Sequence, residues 1–392
     1  MSVSITYNPG SRAVIRPLLP LSKSVSARVA CLDYLAGAEV RTHSQPCEDE
    51  RVIAAALRSI SSGRVELAAS GTARRLLTAI IAATPGAVVR VQGTQRLMER
   101  PMRPLTEALR ELGAPAPQPI DATTEELRGA RLNSSGPVIV DASVSSQFVS
   151  ALLLIGPLIA GGLDLRLRGR RVSSDYVAMT VKLMRRYGAS VTETDEGYRV
   201  AEGRYATVPH YISEPDWSSA SYFLELGCLT GRAVELPLTA GSCQGDSVGP
   251  ELFSSLQSAQ RVDLDMSRVP DLVPAVAATC CALGKPFELR GVGHLRHKES
   301  DRLEALRREL AKMGAEMLIG EDSLISSGKS ALTLPSEPLK VYDDHRLMMA
   351  FAPLSALFPG SRLLIDAAAT VVDKSFPSFW REMSNAGIII KS

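Results

Sequence analysis

One helix-sized segment recurs six times along this chain, and that recurrence constrains the fold more than any single residue does. Each copy opens on a small polar residue or glycine, runs through small apolar residues at helical spacing, reaches a glycine-containing turn and ends in a short alternating strand. The copies start near Ser24, Gly71, Ser145, Ser218, Asp271 and Asp344. The first three map onto the last three at an offset of roughly 200 residues, so the chain reads as two similar halves of three copies each. Amphipathic helices lie between the copies and stop at Gly113, Gly188 and Gly314. Each of these glycines suits a left-handed helix cap, after which a strand can begin. The pattern predicts a mixed α/β protein of two similar domains. A length of 392 residues at 45% hydrophobic content agrees, since so long a chain exceeds what one core organises.

The composition narrows the function. With 44 basic against 42 acidic residues the formal charge is +2, which lacks the broad positive field that nucleic acids or anionic membranes attract. Neither is expected as a partner, and any anion site has to be local. Cys31, Cys47, Cys228, Cys243, Cys280 and Cys281 form no CxxC pair and no metal-ligand spacing, so they read as reduced, packed thiols and no metal site is expected. The first twenty residues lack the apolar stretch of a secretion signal. The longest apolar run, 151–163, contains Pro157 and is too short to span a bilayer. A cytoplasmic protein is expected.

The starts of the six copies carry the chemistry. Unpaired backbone N–H groups and the positive end of the helix dipole favour an anion there. Ser, Thr and Asp at such positions are also ordinary N-caps, but here basic residues accompany them: Lys23, Arg28, Arg75 and Arg346. In Pro-Leu-Ser-Lys-Ser-Val-Ser-Ala-Arg, 20–28, Lys23 and Ser24 stand at the helix mouth with Arg28 one turn inside. Ala-Ser-Gly-Thr-Ala-Arg-Arg, 69–75, offers Gly71 for close backbone approach to a ligand. Arg96 and Arg100 follow, and Ser-Val-Ser-Ser-Gln-Phe starts at Ser143. The second half mixes carboxylates with cations in Glu-Pro-Asp-Trp-Ser-Ser-Ala-Ser from Glu214, Val-Pro-Asp from Val269, His-Lys-Glu-Ser-Asp-Arg from His297, Asp-Asp-His-Arg from Asp343 and Asp-Lys-Ser-Phe-Pro from Asp373. Cations that neutralise phosphates, set beside acids and bases that move protons, are what proton transfer between anionic substrates requires.

Taken in order and spacing, these motifs closely resemble those of the 5-enolpyruvylshikimate-3-phosphate synthase family of enolpyruvyl transferases, nearly from end to end. The resemblance implies an inside-out α/β architecture, described as barrel-like, with three βαβαββ units per domain, helices inside and sheets outside. It places residues 1–17 with 215–392 in one domain and 18–214 in the other, with crossings near 17–20 and 211–215. It implies the addition of the 5-hydroxyl of shikimate 3-phosphate to C2 of phosphoenolpyruvate with protonation at C3. Loss of phosphate from the tetrahedral adduct follows, with no cofactor and no metal. Lys23, Ser24, Arg28, Ser145, Ser146, Gln147, Ser173, Tyr176, Asp271, His294 and Lys298 would bind shikimate 3-phosphate. Lys23, Gly71, Arg100, Gln147, Arg302, Arg346 and Lys374 would bind phosphoenolpyruvate. Asp271 would act as base, and Glu299 with Lys23 or Lys374 as proton donors, although shared protons can blur single roles. A monomer is expected.

Leu21, Ala69 and His294 depart from the family pattern. Ala69 removes an amide near the phosphoenolpyruvate region, and His294 either touches substrate or lies at the surface. The sister transferase acting on UDP-N-acetylglucosamine is disfavoured by Ser22-Lys23-Ser24 in place of a Gly-Ala-Lys-Asn opening. A silent binding paralogue is disfavoured by the retained Asp271, Glu299, Lys23 and Lys374. Gly328-Lys329-Ser330 is not a P-loop, since Ser323 stands where its first glycine belongs. Arg296 and Lys298 argue against a metal held by His294 and His297. Ser145, His345 and Asp344 lack any nucleophile-elbow pattern.

Overall fold

The computed structural model of the chain describes residues 2–9, 13–237, 241–328 and 331–391, so Lys329 and Ser330 lie outside the described residues. Two compact units emerge: Met1–Ser22 with Glu214–Ser392, and Lys23–Ser213. The first unit extends to Ser22, beside the crossing near 17–20 that the resemblance implies. The reason is local pairing: Leu21 bridges Pro215, Ser22 N–H donates to Glu214 O, and Asp216 N–H donates to Pro20 O.

Within Lys23–Ser213, one sheet runs in the spatial order Arg64–Glu66, Val88–Gln92, Thr124–Arg128, Gln118–Pro119. A second repeats that order with Val138–Asp141, Leu163–Arg168, Gly197–Val200 and Val191–Glu193. In both, the first two strands are parallel and the remaining pairings antiparallel. The other unit has Val262–Asp265, Phe287–Arg290, Ser323–Ser326 and Met317–Ile319 in the same arrangement. Its second sheet is Leu339–Lys340, Leu363–Asp366, Val3–Tyr7, Ile388–Lys391, so the N-terminal strand fills the third place.

Four of the six copies therefore carry a full βαβαββ unit among the described residues. The other two are helix pairs, Lys23–Leu35 with Glu48–Ser59 and Trp217–Thr230 with Gly249–Ser258; the second pair adds a short parallel ladder between Val14–Ile15 and Ala233–Val234. After the first helix, the segment that would form a strand is committed instead to side-chain bonds, Arg41 to Asp33 and His43 to Glu50. The fold is mixed α/β with helices and strands interleaved. The described sheets are open, and none closes into a barrel.

Burial follows the sequence pattern. The Ser146–Ile155 helix buries every residue but Gln147, and Gly71–Ala82 is buried at all but Thr72. Val88–Gln92 buries Val89 and Val91 while Val88, Arg90 and Gln92 face outward. Helices apolar all round belong inside, and strands with one apolar face cover them. Gly113, Gly188 and Gly314 hold φ of 94°, 84° and 94° at the ends of the amphipathic helices. Among the described residues no helix is long and apolar enough to cross a membrane.

Candidate active site

In the Lys23–Ser213 unit, Lys23 opens its helix and its Nζ lies 3.0 Å from Asp49 Oδ2, both side chains largely buried. Arg28, one turn on, is 2% exposed. It donates from Nη1 to Ser24 O at 2.8 Å, from Nε to Thr180 Oγ1 at 2.6 Å, and from Nη2 to Ser150 Oγ at 3.3 Å and Tyr176 O at 3.1 Å. It thereby ties its own helix to Ser146–Ile155 and Ser174–Arg186. Ser145 caps the former, its Oγ accepting from Gln147 N–H at 3.3 Å.

Gly71 is where backbone and cations meet. A Cβ there would lie 2.3 Å from Arg100 Nη1 and 2.8 Å from Arg75 Nη1, so only glycine lets both guanidinium groups rest against this helix start. Arg75 Nη1 donates to Gln147 Oε1 at 2.8 Å and to Gly71 O at 3.2 Å, while Gln147 Nε2 donates to Thr72 Oγ1 at 2.9 Å. Arg100 Nε is buried with no hydrogen-bond partner among the described residues. A buried donor of this kind, beside a helix N-terminus, suits an anion. Arg74 holds the segment bearing Arg100 by donating to Leu97 O, Met98 O and Arg100 O and pairing with Glu125.

The second unit is organised around Arg302, 1% exposed. Its Nη1 meets Asp271 Oδ1 at 3.0 Å, its Nη2 meets Glu299 Oε2 at 3.0 Å, and its Nε meets Asp344 Oδ2 at 2.8 Å. Burial by itself would lower the pKa of Arg302; Asp344, Glu299 and Asp271 outweigh it and raise the net value. The far oxygen of Asp271 accepts from Arg346 Nη2 at 2.6 Å, and Glu299 Oε1 lies 3.5 Å from Lys374 Nζ. Tyr222 OH is 3.4 Å from Arg346 Nη1, and burial pushes it up to about 12. Asp246, bonded by Ser218 Oγ, is pushed up to about 7 by burial and then by the charge of Asp271. Asp344 caps its helix through Arg346 N–H and accepts from Ser300 Oγ. Among the described residues no three His, Cys, Asp or Glu side chains cluster as metal ligands.

Three helix starts in these constellations follow non-glycine residues in the left-handed region: Ala68 (φ 48°), Ser173 (φ 53°), and Tyr342 with Asp343 (φ 52° and 55°). Strain of this kind costs about 1–3 kcal/mol per residue and concentrates at functional sites.

The sequence-derived candidates divide between the units: Lys23, Ser24, Arg28, Gly71, Arg100, Ser145, Ser146, Gln147, Ser173 and Tyr176 lie in one, and Asp271, His294, Lys298, Glu299, Arg302, Arg346 and Lys374 in the other. Within them, bonds join Arg28 to Ser24 and Tyr176, and Asp271, Glu299, Arg346 and Lys374 around Arg302. His294, on the Gly293–His297 turn that leads to Lys298, is buried rather than superficial. Arg302 and Arg346, expected against phosphoenolpyruvate, are engaged with carboxylates here. Asp49, Thr72, Tyr222, Asp246 and Asp344 were not assigned to the site, and Arg75 was named only as a cation beside a helix start. Thr72 and Arg75 lie within Ser-Gly-Thr-x-x-Arg, and Asp344 within Asp-Asp-His-Arg, so their motifs carried a signal. Asp49 had none beyond an acidic first helical turn.

The family model for EPSP synthase (3-phosphoshikimate 1-carboxyvinyltransferase) matches residues 18–383. The chain belongs to the EPSP synthase family. It is 37% identical over 404 residues to the 3-phosphoshikimate 1-carboxyvinyltransferase of Bacteroides fragilis, covering 95% of each chain. It is 33% identical over 410 residues to that of Methanothrix thermoacetophila, covering 100% of this chain and 94% of the relative. Among solved structures, an EPSP synthase from Acinetobacter baumannii superposes with a TM-score of 0.73 at 20% identity over 100% of both chains. The enolpyruvyl transferase NikO from Streptomyces tendae gives 0.70 at 16%, covering 100% of this chain and 98% of that one. At those identities the superpositions speak for the EPSP synthase fold alone.

Proposed function

We propose that this member of the EPSP synthase family transfers the carboxyvinyl group of phosphoenolpyruvate to the 5-hydroxyl of shikimate 3-phosphate and releases phosphate. The observation that carries the proposal is Arg302, whose single guanidinium holds both Asp271 and Glu299, with Lys374 on the far side of Glu299. Two carboxylates fixed by one planar cation keep a set separation, which suits paired proton transfers.

In this reading Asp271 takes the proton of the attacking hydroxyl as its oxygen bonds to C2. Glu299, with Lys374 or Lys23, delivers a proton to C3 and gives a tetrahedral ketal phosphate. Removal of a C3 proton and departure of phosphate restore the double bond as the enol ether product. Lys23, Ser24, Arg28, Ser145, Ser146, Gln147, Ser173, Tyr176, His294 and Lys298 are assigned to shikimate 3-phosphate, and Gly71, Arg100, Gln147, Arg346 and Lys374 to phosphoenolpyruvate. Arg75 and Thr72 join the latter set, since they pair with Gln147 beside Gly71. Arg302 acts by orienting Asp271 and Glu299. The cations stabilise charge that develops as phosphate leaves. The near-neutral charge and the free cysteines support a cytoplasmic protein without a nucleic-acid partner, taken as a monomer.

Purified protein is expected to release phosphate only when both substrates are present, without added metal. Turnover with UDP-N-acetylglucosamine in place of shikimate 3-phosphate would overturn the assignment. Lys23→Met is expected to abolish turnover; it also removes the cation from the buried Asp49 carboxylate, so the melting transition is expected to fall, and turnover is compared at a temperature where the variant is folded.

A further inference from the structure

Asp49, the partner of Lys23, sits in the first turn of the Glu48–Ser59 helix. The N-cap of that helix is Cys47, whose side chain makes no cap bond. Ser, Thr, Asp or Asn at this place typically anchors a helix start by accepting from its free N–H groups. Another group of bonds supplies the anchor. The Glu50 carboxylate, its side chain 1% exposed, accepts from His43 N–H at 3.2 Å and from Tyr211 OH at 3.3 Å. His43 Nε2 lies 2.7 Å from Glu50 Oε2, off the hydrogen-bond axis. On the other side of the ring, His43 Nδ1 accepts the Gln45 N–H at 3.1 Å. An Nδ1 that accepts carries no proton, which leaves the ring N–H on Nε2, on the side of Glu50.

Asp49 and Glu50 are neighbours on one helix turn, so their side chains point about 100° apart around its axis. One faces Lys23 and the other faces His43 and Tyr211. A roll of the helix that released either would displace both.

We propose that the His43–Glu50–Tyr211 cluster is a positioning device for the reaction, locking the first turn of this helix so that Asp49 holds the Lys23 ammonium in place. It rests on the reading that Lys23 reaches substrate. His43 and Glu50 act through Asp49 and are positioning residues. A displacement of about 1 Å at such a support can cost up to ~100-fold in rate.

The cluster carries a pH dependence with a definite sign. Burial pushes the Glu50 carboxyl above its ordinary value, opposed by His43 and Tyr211. The groups facing it are His43, Tyr211 and Cys47, with Lys23 and Asp49 beyond Cys47 and Asp33 beyond Tyr211. Asp33 is itself held by Arg41 and Tyr187. Ionised Glu50 offers acceptors on both sides, Oε1 to His43 N–H and Tyr211 OH and Oε2 toward the His43 ring, whereas protonation turns one oxygen into a donor. As pH falls through its raised pKa the cluster loosens, adding an acid limb to the rate profile.

The test uses the full-length enzyme and four variants. His43→Ala is expected to lower kcat about tenfold with both KM values within about threefold. His43→Gln, whose amide N–H reaches toward the same carboxylate, is expected to recover most of the loss. Glu50→Gln, the neutral stand-in for the protonated carboxyl, is expected to lower kcat across the pH range and to remove this acid limb, and ¹⁵N NMR of the wild-type ring is expected to show Nδ1 unprotonated. His43→Ala with kcat within twofold of wild type and an unchanged profile overturns the proposal. So does equal loss in His43→Ala and His43→Gln that tracks the folded fraction. Lys23→Met separates the two readings: retained turnover sinks the role of Lys23 itself, whereas an inactive Lys23→Met beside an unaffected His43→Ala sinks only the positioning device.

Discussion

Glu225 stands in the middle of the Trp217–Thr230 helix, 0% exposed, and neither carboxyl oxygen has a hydrogen-bond partner among the described residues. Asp271, Glu299 and Asp344 are also withdrawn from water, but they share Arg302; Glu225 shares nothing comparable. Burial therefore drives its pKa well above the ordinary carboxylate range, and its charge helps burial push the Cys228 thiol up to about 12. The folded state binds the proton more tightly than the unfolded chain, where the value is about 4.3. Stability is thus greatest below the unfolded value and falls as pH rises above it toward the raised folded pKa. Replacing Glu225 by the near-isosteric Met is expected to stabilise the protein at pH 8 by roughly 1–3 kcal/mol in denaturant unfolding. The gain is expected to shrink toward pH 5. An equal gain at every pH would show that ionisation is not the cause. In the sequence Tyr-Phe-Leu-Glu-Leu the residue reads as an outward polar position, because nothing local reveals that this helix is enclosed on all sides.

At the scale of elements, the glycine at each amphipathic helix end is the most legible feature. Gly113 holds φ at 94° and a Cβ there would meet nothing within 4 Å, so the position isolates backbone preference from packing. Gly113→Ala is expected to cost ~1 kcal/mol, read as a lowered denaturant midpoint with unchanged slope. A neutral result would mean the cap relaxes into another turn. Of the four positive-φ residues before helix starts, Ala68, Ser173 and Tyr342 carry no such signal, since their types are not ones that a pattern marks for the left-handed region; only Asp343 is of a type enriched there. Their conformations are imposed by neighbours: Thr94 N–H, for example, donates to Ala68 O. The strand content of the copies was likewise only partly legible. The helix of every copy formed, but after Lys23–Leu35 the chain spends its polar groups on Asp33 and Glu50, where a ladder would otherwise run.

Across the whole molecule, Val3–Tyr7 pairs with residues of 363–365 on one side and 388–391 on the other, with Val3, Ile5 and Tyr7 buried. Deleting residues 1–9 would leave two strand edges unpaired and a void beneath them. Hydrogen exchange is expected to lose protection at 363–366 and 388–391, while Val88–Gln92 and Thr124–Arg128 keep theirs. Equal loss in both units would show that they unfold as one. The membership of this strand was implied by family resemblance and not by its residues, because an alternating pentapeptide fits any sheet with an open edge.

The sequence by itself determined the six copies, the two halves, the helix starts with their caps and cations, and through its motifs the family. These depend on periodicity and on neighbours a few residues apart, where the backbone's local preferences act. Only the tertiary structure decided that Arg302 gathers Asp271 and Asp344, 31 and 42 positions away. It alone set Asp49 beside Lys23, leaned Arg75 and Arg100 on Gly71, and supported Asp49 through His43 and Glu50. Such pairings follow from which buried charges find partners once the cores close, and that is set by packing between segments far apart in the chain.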